Sequence, residues 1–548
     1  MSGGDRHYAT IWESIADRIP SSSALCHGAR RITWGELDDR AARLAGAFAA
    51  HGIGPGSGVA SFLFNGPEHF EVFFAALKLG AVPANINHRY QSDELLALVD
   101  NAEAKVLVYD AALRDRVAGI ADRAGGLRLL VEVGGPPSSP DALGVGYEDL
   151  VAGSDPAPRI ERGDDAVFLS YTGGTTGLPK GVLVEVARSV ANSRRFHDLF
   201  MGVSHDPDAP AERMSAIPAS PLMHSTGFIF VGLPTLTAGG VVTTLESRSF
   251  DAHELLRAVD DVGAQVVAIV GDAFALPIVR ALDEGRPEGG AYDGRSLRAM
   301  VSAGVGWSAP IKERLLEHLP SATLIDSCGT SEGVSYGVRR VRRGDVPSTA
   351  TFDAAPGLKV LSPEREELGP GEVGLLAGVT TARGYHRDPV RSAQTFFSIG
   401  SQRYAMPGDL GRVEADGSVT LIGRGFATIN TGGEKVFPAE VEDAVRTLEE
   451  VDDCLVIGIP DERFGQAVAA LVVPRPGRAV TPDDVAGAVR ASLAGYKVPR
   501  HVRVVEAVPR LPNGKVDYPA AAAMADPAVT GDLVADRFDQ PAPAPRPH

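Results

Sequence analysis

The sequence contains little cysteine. Only Cys26, Cys328 and Cys454 occur among 548 residues, and they lie too far apart in the chain for a clustered set of metal ligands. Three cysteines are also too few for a disulfide framework. We therefore expect a protein of the reducing cytoplasm that has no structural zinc.

Positive charge and long apolar runs are scarce as well. Lys plus Arg number 53 against 70 Asp plus Glu, which gives a net charge of −17. Such a field repels nucleic acid and anionic lipid, and no Lys/Arg run of the needed length compensates for it. No apolar run approaches the roughly 20 residues of a membrane helix, and the first residues lack the order of a secretory signal. We expect neither nucleic-acid binding nor membrane insertion.

Helical and strand patterns alternate along most of the chain. Thr33 and Glu36 form a capping box, and apolar residues then recur at helical spacing until Gly52. Short apolar runs typical of buried strands, such as 59–64 and 265–270, lie between helical segments. This alternation predicts an α/β fold.

The pattern changes near residue 425, where a glycine-rich stretch precedes a smaller unit with its own helix (438–448) and strand (454–459). We predict a large N-terminal α/β domain of several subdomains, residues 1–424. A small, mobile C-terminal α+β domain would follow, residues 425–526. The Pro/Ala-rich end, residues 527–548, is typical of a disordered tail.

An apolar strand leads into a loop rich in glycine and hydroxyl groups, Thr172–Gly181, that contains Lys180. Glycines allow close approach of the backbone to an oxyanion, and successive N–H groups, threonine hydroxyls and a lysine add donors and charge. It is not a Walker A loop, because Leu-Pro separates Gly177 from the lysine. A mobile surface loop is the alternative. The position of Thr172–Gly181 directly after a buried-type strand favours phosphate binding over that alternative.

Two further motifs contain carboxylates suited to nucleotide chemistry. In Asp326–Glu332 we expect a strand to end and to enter a turn of small residues. Glu332 follows hydroxyl-bearing residues there, and a carboxylate in such a setting suits Mg²⁺ shared with substrate phosphates. Asp409 can accept from both ribose hydroxyls, and the guanidinium of Arg424 can bond ribose or phosphate oxygens. The alternatives are solvated turn carboxylates and a surface arginine.

Two isolated residues complete the candidate set. An Asn-Gly turn presents Lys515, whose ammonium would neutralise charge that develops on a phosphate under attack. His224 stands in an apolar neighbourhood, where a histidine is more often a core residue than an active one. Without its motif, Lys515 would be a solvated surface lysine.

Together these ordered motifs, from about Thr33 to Lys515, resemble those of the adenylate-forming superfamily, which includes acyl-CoA synthetases, luciferases and the adenylation domains of peptide synthetases. The resemblance implies that ATP is bound by Thr172, Gly173, Gly174, Thr175, Thr176, Gly177, Lys180, Gly304, Asp326, Cys328, Gly329, Thr330, Ser331, Asp409 and Arg424. In this set Asp326 would face the adenine amino group. The family usually has an aromatic residue at Cys328, so adenine stacking is weaker here or comes from another residue.

The resemblance also implies the remaining site residues. Glu332 and Thr175 would hold Mg²⁺, and the catalytic residues would be Lys515, Glu332 and His224. The acyl pocket would consist of His224, Thr226, Gly227, Gly304 and Trp307. Gly432 and Gly433 would line the tunnel for coenzyme A. Phe426 occupies the hinge position, where the family commonly has Asp or Lys, and this departure bears on domain rotation and hence on the thioester step.

The implied reaction is activation of a carboxylic acid by ATP to acyl-AMP with release of pyrophosphate, followed by thioester formation with coenzyme A. Adenylation alone, transfer to a carrier protein, and a catalytically silent nucleotide- or acyl-binding protein are the alternatives. A homodimer is compatible with all of them.

The motifs Leu222–Gly227 and Asn430–Lys435 look most like those of bacterial synthetases for steroid and terpenoid acids. This likeness implies a bulky polycyclic or a medium- or long-chain acid, and the Ala/Gly/Arg-rich composition suits a diterpenoid antibiotic pathway. Gly227, Gly232, Gly304 and Gly306 would then leave room for the ring system, although glycine can equally serve the backbone.

Overall fold

The computed structural model describes residues 6–135, 143–172, 179–201, 213–304, 307, 309–345, 351–362, 364–424, 429–436, 438–509 and 518–525. The chain divides into two compact units. The first comprises Met1–Thr172 and Pro179–Arg424, and the second comprises Gly173–Leu178 and Gly425–His548. The C-terminal stretch predicted to be a tail, 527–548, lies outside the described residues.

The helices of the first unit are α1 (Tyr8–Arg18), α2 (Trp34–Ala50), α3 (Glu68–Lys78), α4 (Ser92–Asn101), α5 (Arg114–Ala121), α6 (Tyr147–Gly153), α7 (Val186–Met201), α8 (Leu233–Thr237), α9 (Ala252–Val262), α10 (Gly271–Glu284), α11 (Ala309–His318) and α12 (Pro389–Thr395). A 3₁₀ turn spans Ala111–Leu113, and a π-helix spans Thr226–Gly232.

The strands of the first unit are β1 (Ser23–His27), β2 (Arg30–Thr33), β3 (Gly58–Phe62), β4 (Val82–Asn85), β5 (Ala104–Asp110), β6 (Leu129–Val133), β7 (Val145–Gly146), β8 (Val167–Thr172), β9 (Lys180–Glu185), β10 (Ser215–Pro218), β11 (Val241–Thr244), β12 (Val266–Ile269), β13 (Ala299–Ala303), β14 (Thr323–Thr330), β15 (Val334–Val341), β16 (Thr351–Ala354), β17 (Lys359–Leu361), β18 (Gly374–Val379), β19 (Ala382–Tyr385), β20 (Phe396–Ile399), β21 (Gln402–Ala405), β22 (Asp409–Val413) and β23 (Ser418–Arg424).

Two large sheets organise these strands. An eight-stranded sheet has the order β19-β9-β8-β4-β3-β5-β6-β7. The larger sheet has the order β2-β1-β11-β10-β12-β13-β14-β15-β16-β23-β22-β18-β21-β20, and β17 pairs with β18. Neighbouring strands run parallel from β1 through β11, β10, β12 and β13 to β14, and the pairing becomes antiparallel at β15. The predicted α/β class is confirmed.

Helix α2 shows how the sequence specifies its elements. Thr33 Oγ1 accepts from the N–H of Glu36 at 3.2 Å, and the Glu36 carboxylate accepts from the N–H of Thr33 at 2.7 Å. This capping box satisfies donors that the helix start leaves unpaired. Leu37, Leu44 and Phe48 are fully buried on one face, as their spacing predicts. The predicted helix is confirmed.

The core of the first unit is rich in aromatic side chains. Trp12 packs against Phe74 with ring centroids 5.2 Å apart, and Phe73 packs edge-to-face against Phe228 at 5.0 Å. Phe228 also stacks on Phe70 at 5.3 Å. Because Phe228 belongs to the π-helix, this cluster anchors the segment that follows His224.

The second unit consists of β24 (Ile429–Thr431), β25 (Glu434–Val436), α13 (Pro438–Val445), β26 (Val451–Asp461), β27 (Gly465–Pro474), α14 (Pro482–Ser492), β28 (His501–Val504) and α15 (Tyr518–Ala525). Its sheet has the order β25-β24-β27-β26, with β28 beside β27. Helix α13 ends three residues before the predicted end, and β26 extends beyond the predicted strand at both ends.

No helix in the described part of the chain combines the length and the apolar character needed to cross a membrane.

Candidate active site

The carboxyl ends of three parallel strands, β12, β13 and β14, form one edge of the large sheet. Helix α10 begins at Gly271, directly beyond β12, and the Gly271 N–H donates to Ser302 Oγ at 2.9 Å. Ser302 lies opposite Asp326 in the register of β13 and β14. Just beyond β13, Gly304 has φ +92°, and a Cβ at this position would have no atom within 4 Å. Open α/β sheets bind ligands at such edges.

The carboxylate of Asp326 is buried at this edge and pairs with a lysine from α11. Lys312 Nζ lies 2.7 Å from Asp326 Oδ2, and Lys312 has no exposed surface. Burial raises the pKa of Asp326, the ammonium of Lys312 opposes this shift, and the charge of Asp272 adds to it. Sequence reasoning missed Lys312, because a lysine inside a helical pattern gives no signal of its partner.

The segment that contains Asp326 differs from the expected turn. Strand β14 continues through Cys328 to Thr330 and pairs with β15, with a register shift between Cys328 and Gly329. The prediction that the strand ends at the motif was therefore wrong, because the backbone of these small residues is paired by β15. Thr330 Oγ1 is buried and has no hydrogen-bond partner among the described residues. A buried hydroxyl of this kind suits a ligand oxygen.

Glu332 and Lys180, which belong to separate motifs, contact the same tyrosine. The hydroxyl of Tyr385 donates to Glu332 Oε1 at 2.7 Å, and Lys180 Nζ lies 5.1 Å from the Tyr385 ring centroid. Strand pairing produces this arrangement, since Tyr385 on β19 lies opposite Val182 on β9, two residues from the lysine. Glu332 is 5% exposed, so it is not the solvated turn carboxylate of the alternative interpretation.

Asp409 and Arg424 lie opposite each other on β22 and β23. The buried carboxylate of Asp409 accepts from the hydroxyl of Tyr336 at 2.6 Å. The structure therefore brings together the backbones of the two residues that were predicted to bind ribose, and it adds a tyrosine that the sequence did not indicate. The side chain of Arg424 lies outside the described part.

His224 borders a cleft with about 280 Å³ of empty space, part of it open to solvent. The lining is mostly apolar, and its polar members are Asn85, Ser170, His224 and Ser225. The apolar members are Phe73, Pro83, Phe168, Leu169, Leu222, Met223, Phe228 and Ile229. The π-helix that begins at Thr226 follows directly. Such helices are rare and occur frequently at functional sites. An apolar cleft with a few polar groups can bind an acid with a hydrocarbon body.

Two asparagines hold the turn that precedes His224. Asn65 donates to the Ser220 carbonyl at 3.2 Å and accepts from the Leu222 N–H at 2.8 Å. Asn85 donates to the Leu222 carbonyl at 3.4 Å. The turn is thus held by the segment that follows β3 and by the last residue of β4. Sequence reasoning did not single out either asparagine.

The glycines near this cleft do not all leave space for a ligand. A Cβ on Gly227 would lie 2.8 Å from the Ser220 carbonyl oxygen, and one on Gly232 would lie 2.9 Å from the ring of Phe70. These positions are occupied by the protein itself, so the expectation that Gly227 and Gly232 provide volume was wrong. Gly304 is different, because space is open beside it, and Gly306 lies outside the described residues.

Trp307, which was predicted to line the acyl pocket, is fully buried in the core cluster that contains Leu315 and Leu324. It is not among the residues lining the His224 cleft.

Gly432 and Gly433 of the second unit form the turn between β24 and β25 with φ +57° and +87°, a conformation that favours glycine. Their predicted role beside coenzyme A stays a prediction.

Several predicted site residues lie outside the described part of the chain. They are Gly173, Gly174, Thr175, Thr176, Gly177, Phe426 and Lys515, together with the side chain of Thr172.

The model of the AMP-binding enzyme family matches residues 12–386, and that of the AMP-binding enzyme C-terminal domain matches residues 440–515. A 3-oxocholest-4-en-26-oate–CoA ligase from Rhodococcus rhodochrous is 36% identical over 532 residues, which cover 93% of this chain and 94% of the relative. The medium-chain acyl-CoA ligase Mig from Mycobacterium avium is 33% identical, with 93% and 96% covered.

Solved structures share the same fold. The amide bond synthetase McbA from Marinactinospora thermotolerans has a TM-score of 0.78 at 24% identity, covering 94% of this chain and 99% of that protein. ATP-bound MatB from Rhodopseudomonas palustris has a TM-score of 0.64 at 27% identity, covering 94% and 98%. The predicted architecture of a large α/β domain with a small α+β domain is confirmed. The chain belongs to the AMP-binding enzyme family.

Proposed function

We propose that this protein is an AMP-forming acyl-CoA synthetase whose substrate is a bulky, largely apolar carboxylic acid of the steroid-acid or medium- to long-chain type. The similarity over 93% of the chain to a relative named for the CoA ligation of a steroid acid carries the proposal. The apolar cleft beside His224 supports it, since its lining suits a hydrocarbon body.

The reaction consists of two displacements. A carboxylate oxygen of the acid attacks the α-phosphorus of ATP, the new oxygen–phosphorus bond forms, and pyrophosphate leaves. The sulfur of coenzyme A then attacks the acyl carbonyl carbon, the thiol proton is lost, and AMP leaves with the bonding electron pair. Adenylation turns a poor leaving group into a good one, so no covalent enzyme nucleophile is needed.

The nucleotide residues divide between recognition and charge stabilisation. Asp326 accepts from the adenine amino group, and Asp409 with Arg424 binds the ribose. The Thr172–Gly181 loop, Thr330 and Ser331 contact the phosphates. The hydroxyl of Thr330, buried without a partner among the described residues, supports this assignment.

Lys515 and Lys180 supply positive charge, as lysine clamps do in phosphoryl transfer. Lys515 belongs to the small domain, residues 425–526, and neutralises charge as the acid attacks. His224, which borders the apolar cleft, and Thr226, at the start of the π-helix, orient the carboxylate.

The residues present fit Mg²⁺. In the described part of the chain, no group of three or more His, Cys, Asp or Glu side chains is placed to hold a metal on its own. Mg²⁺ commonly takes one or two carboxylates plus substrate phosphates, and buried Glu332 meets that requirement, with Thr175 as a second ligand. When bound, the ion neutralises phosphate charge. Tyr385 holds the Glu332 carboxylate.

Coenzyme A is the thiol that the relatives' names indicate, and Gly432 and Gly433 would line its path. ATP and coenzyme A are both cytoplasmic cosubstrates, which supports a cytoplasmic enzyme. A carrier-protein thiol would replace coenzyme A only if the enzyme turned over with a holo-carrier protein and not with the free cofactor.

The test is ATP–pyrophosphate exchange over a panel of fatty, aryl and steroid acids, followed by addition of coenzyme A and detection of the thioester. We expect exchange to be highest with steroid or long-chain acids and the thioester to appear only after coenzyme A is added. Exchange restricted to small aryl acids would contradict the proposed substrate class. Acyl-AMP that accumulates without any thioester would contradict the second step.

A further inference from the structure

The buried pair of Lys312 and Asp326 lies inside the proposed adenine site. Lys312 Nζ is 2.7 Å from Asp326 Oδ2, and the ammonium also lies 5.5 Å from the ring centroid of Trp307. Neither side chain of the ion pair is more than about a twentieth exposed. The pair joins α11 to β14, at the sheet edge where Gly304 leaves open space.

A purely structural role does not explain this pair well. Burying two charges costs free energy that their mutual attraction only partly offsets, and apolar residues of similar volume are often as stable or more stable. The elements that carry the pair, α11 and β14, also bury apolar side chains, including Leu315, Leu316 and Leu324. What distinguishes this pair is its position at the carboxyl edge of the sheet beside the open space at Gly304, which points to a role for the carboxylate in that space.

Lys312 determines how Asp326 can hydrogen-bond. Burial and the negative charge of Asp272 both favour the protonated carboxyl, and the ammonium of Lys312 opposes them. An ionised carboxylate only accepts hydrogen bonds, whereas a protonated carboxyl can also donate one. Adenine carries an amino donor at position 6, while guanine and hypoxanthine carry a carbonyl acceptor there. A carboxylate held as a pure acceptor therefore matches adenine and repels a 6-oxopurine.

We propose that Lys312 is a specificity-determining positioning residue, which secures the choice of ATP over 6-oxopurine triphosphates by holding Asp326 in place as a hydrogen-bond acceptor. The inference rests on the proposed function, in which Asp326 faces the adenine amino group. Sites built to bond a particular group reject analogues that leave buried polar atoms unpaired.

The test compares the dissociation constants of ATP and ITP, which differ at position 6 of the purine, by calorimetry without acid or coenzyme A. We expect the wild-type protein to prefer ATP by about 10²-fold. The double variant Lys312→Met with Asp326→Asn replaces the ion pair with a neutral amide that can donate or accept. Its preference should fall at least about tenfold. Lys312→Gln keeps a hydrogen-bond donor without the charge, so its preference for ATP should fall by less. This variant provides the test if the double variant does not fold.

A matched control exists in the second unit. Lys497 Nζ lies 2.9 Å from Glu440 Oε2, and this pair is also buried. The double variant Lys497→Met with Glu440→Gln should keep the wild-type ratio of ATP to ITP affinity.

The outcomes separate the two proposals. A wild-type preference for ATP that survives in a folded double variant, or in Lys312→Gln, overturns the role of Lys312 and leaves the proposed function intact. Wild-type protein that binds neither nucleotide overturns the proposed function, and this inference with it.

Discussion

Substituting Tyr385 with phenylalanine tests whether the Glu332 carboxylate is held for Mg²⁺. The variant removes one hydroxyl, which donates at 2.7 Å to a carboxylate that is 5% exposed. It keeps the ring, whose centroid lies 5.1 Å from Lys180 Nζ. The change is therefore confined to one hydrogen bond, and the lysine contact is retained.

The magnitude follows from that hydrogen bond. A hydrogen bond to a charged group contributes about 1.5–3 kcal/mol, and loss of the partners that orient a metal ligand typically lowers metal affinity or activity by about 10–100-fold. We expect the Mg²⁺ concentration for half-maximal ATP–pyrophosphate exchange to rise by about tenfold or more. Tyr385→Leu also loses the contact between the ring and Lys180, so it should lose about 0.5–2 kcal/mol more interaction free energy than Tyr385→Phe.

The assay titrates Mg²⁺ at constant free ATP, and calorimetric binding of ATP with and without Mg²⁺ gives a readout independent of turnover. Tyr336→Phe is the matched control, because its hydroxyl donates to Asp409 at 2.6 Å. That variant should weaken ATP binding without changing the Mg²⁺ requirement. If Tyr385→Phe leaves the Mg²⁺ titration unchanged, or if both variants shift it equally, the positioning argument fails.

Three further predictions concern other parts of the molecule. Lys515→Ala should lower adenylate formation by at least about 10²-fold, as loss of a preorganised charge does, and unchanged pyrophosphate release would remove its assigned role. Gly232→Ala should destabilise the protein by about 1–3 kcal/mol in denaturant unfolding, because its Cβ would meet the Phe70 ring at 2.9 Å. Gly153→Ala is its control, because a Cβ at position 153 would have no atom within 4 Å. Equal stability of the two variants would contradict the packing argument. Asn65→Ala should raise KM for the acid more than KM for ATP, since two hydrogen bonds to the turn before His224 are lost, and equal changes in both would contradict this role.

The net charge of −17 bears on how the protein binds its anionic substrates. ATP, the acid and coenzyme A are all anions, and a global field of the same sign does not attract them. Under the proposed function, binding would therefore depend on short-range contacts, for which Lys180, Lys515, Arg424 and backbone N–H groups are the proposed sources. Such contacts are screened by salt much less than long-range steering is.

Much of the fold could be predicted from local patterns. The capping box at Thr33 and the helix after it are confirmed, because both depend on residues within one or two helical turns. The end of β14 was predicted wrongly, since its pairing with β15 carries the strand through small residues that read as a turn. The volumes assigned to Gly227 and Gly232 were also wrong, because only packing shows which atoms fill the space beside a glycine.

The sequence by itself determined the fold class and the family, because contiguous motifs carry the residue types that the chemistry needs. Tertiary structure alone decided the partners of those residues. Lys312, Tyr385 and Tyr336 lie 14, 53 and 73 positions from the carboxylates that they contact. The packing of helix α11 brings Lys312 to Asp326, and the arrangement of the strands brings the two tyrosines to their carboxylates. Local periodicity shows which face a residue occupies without showing which element will lie beside it.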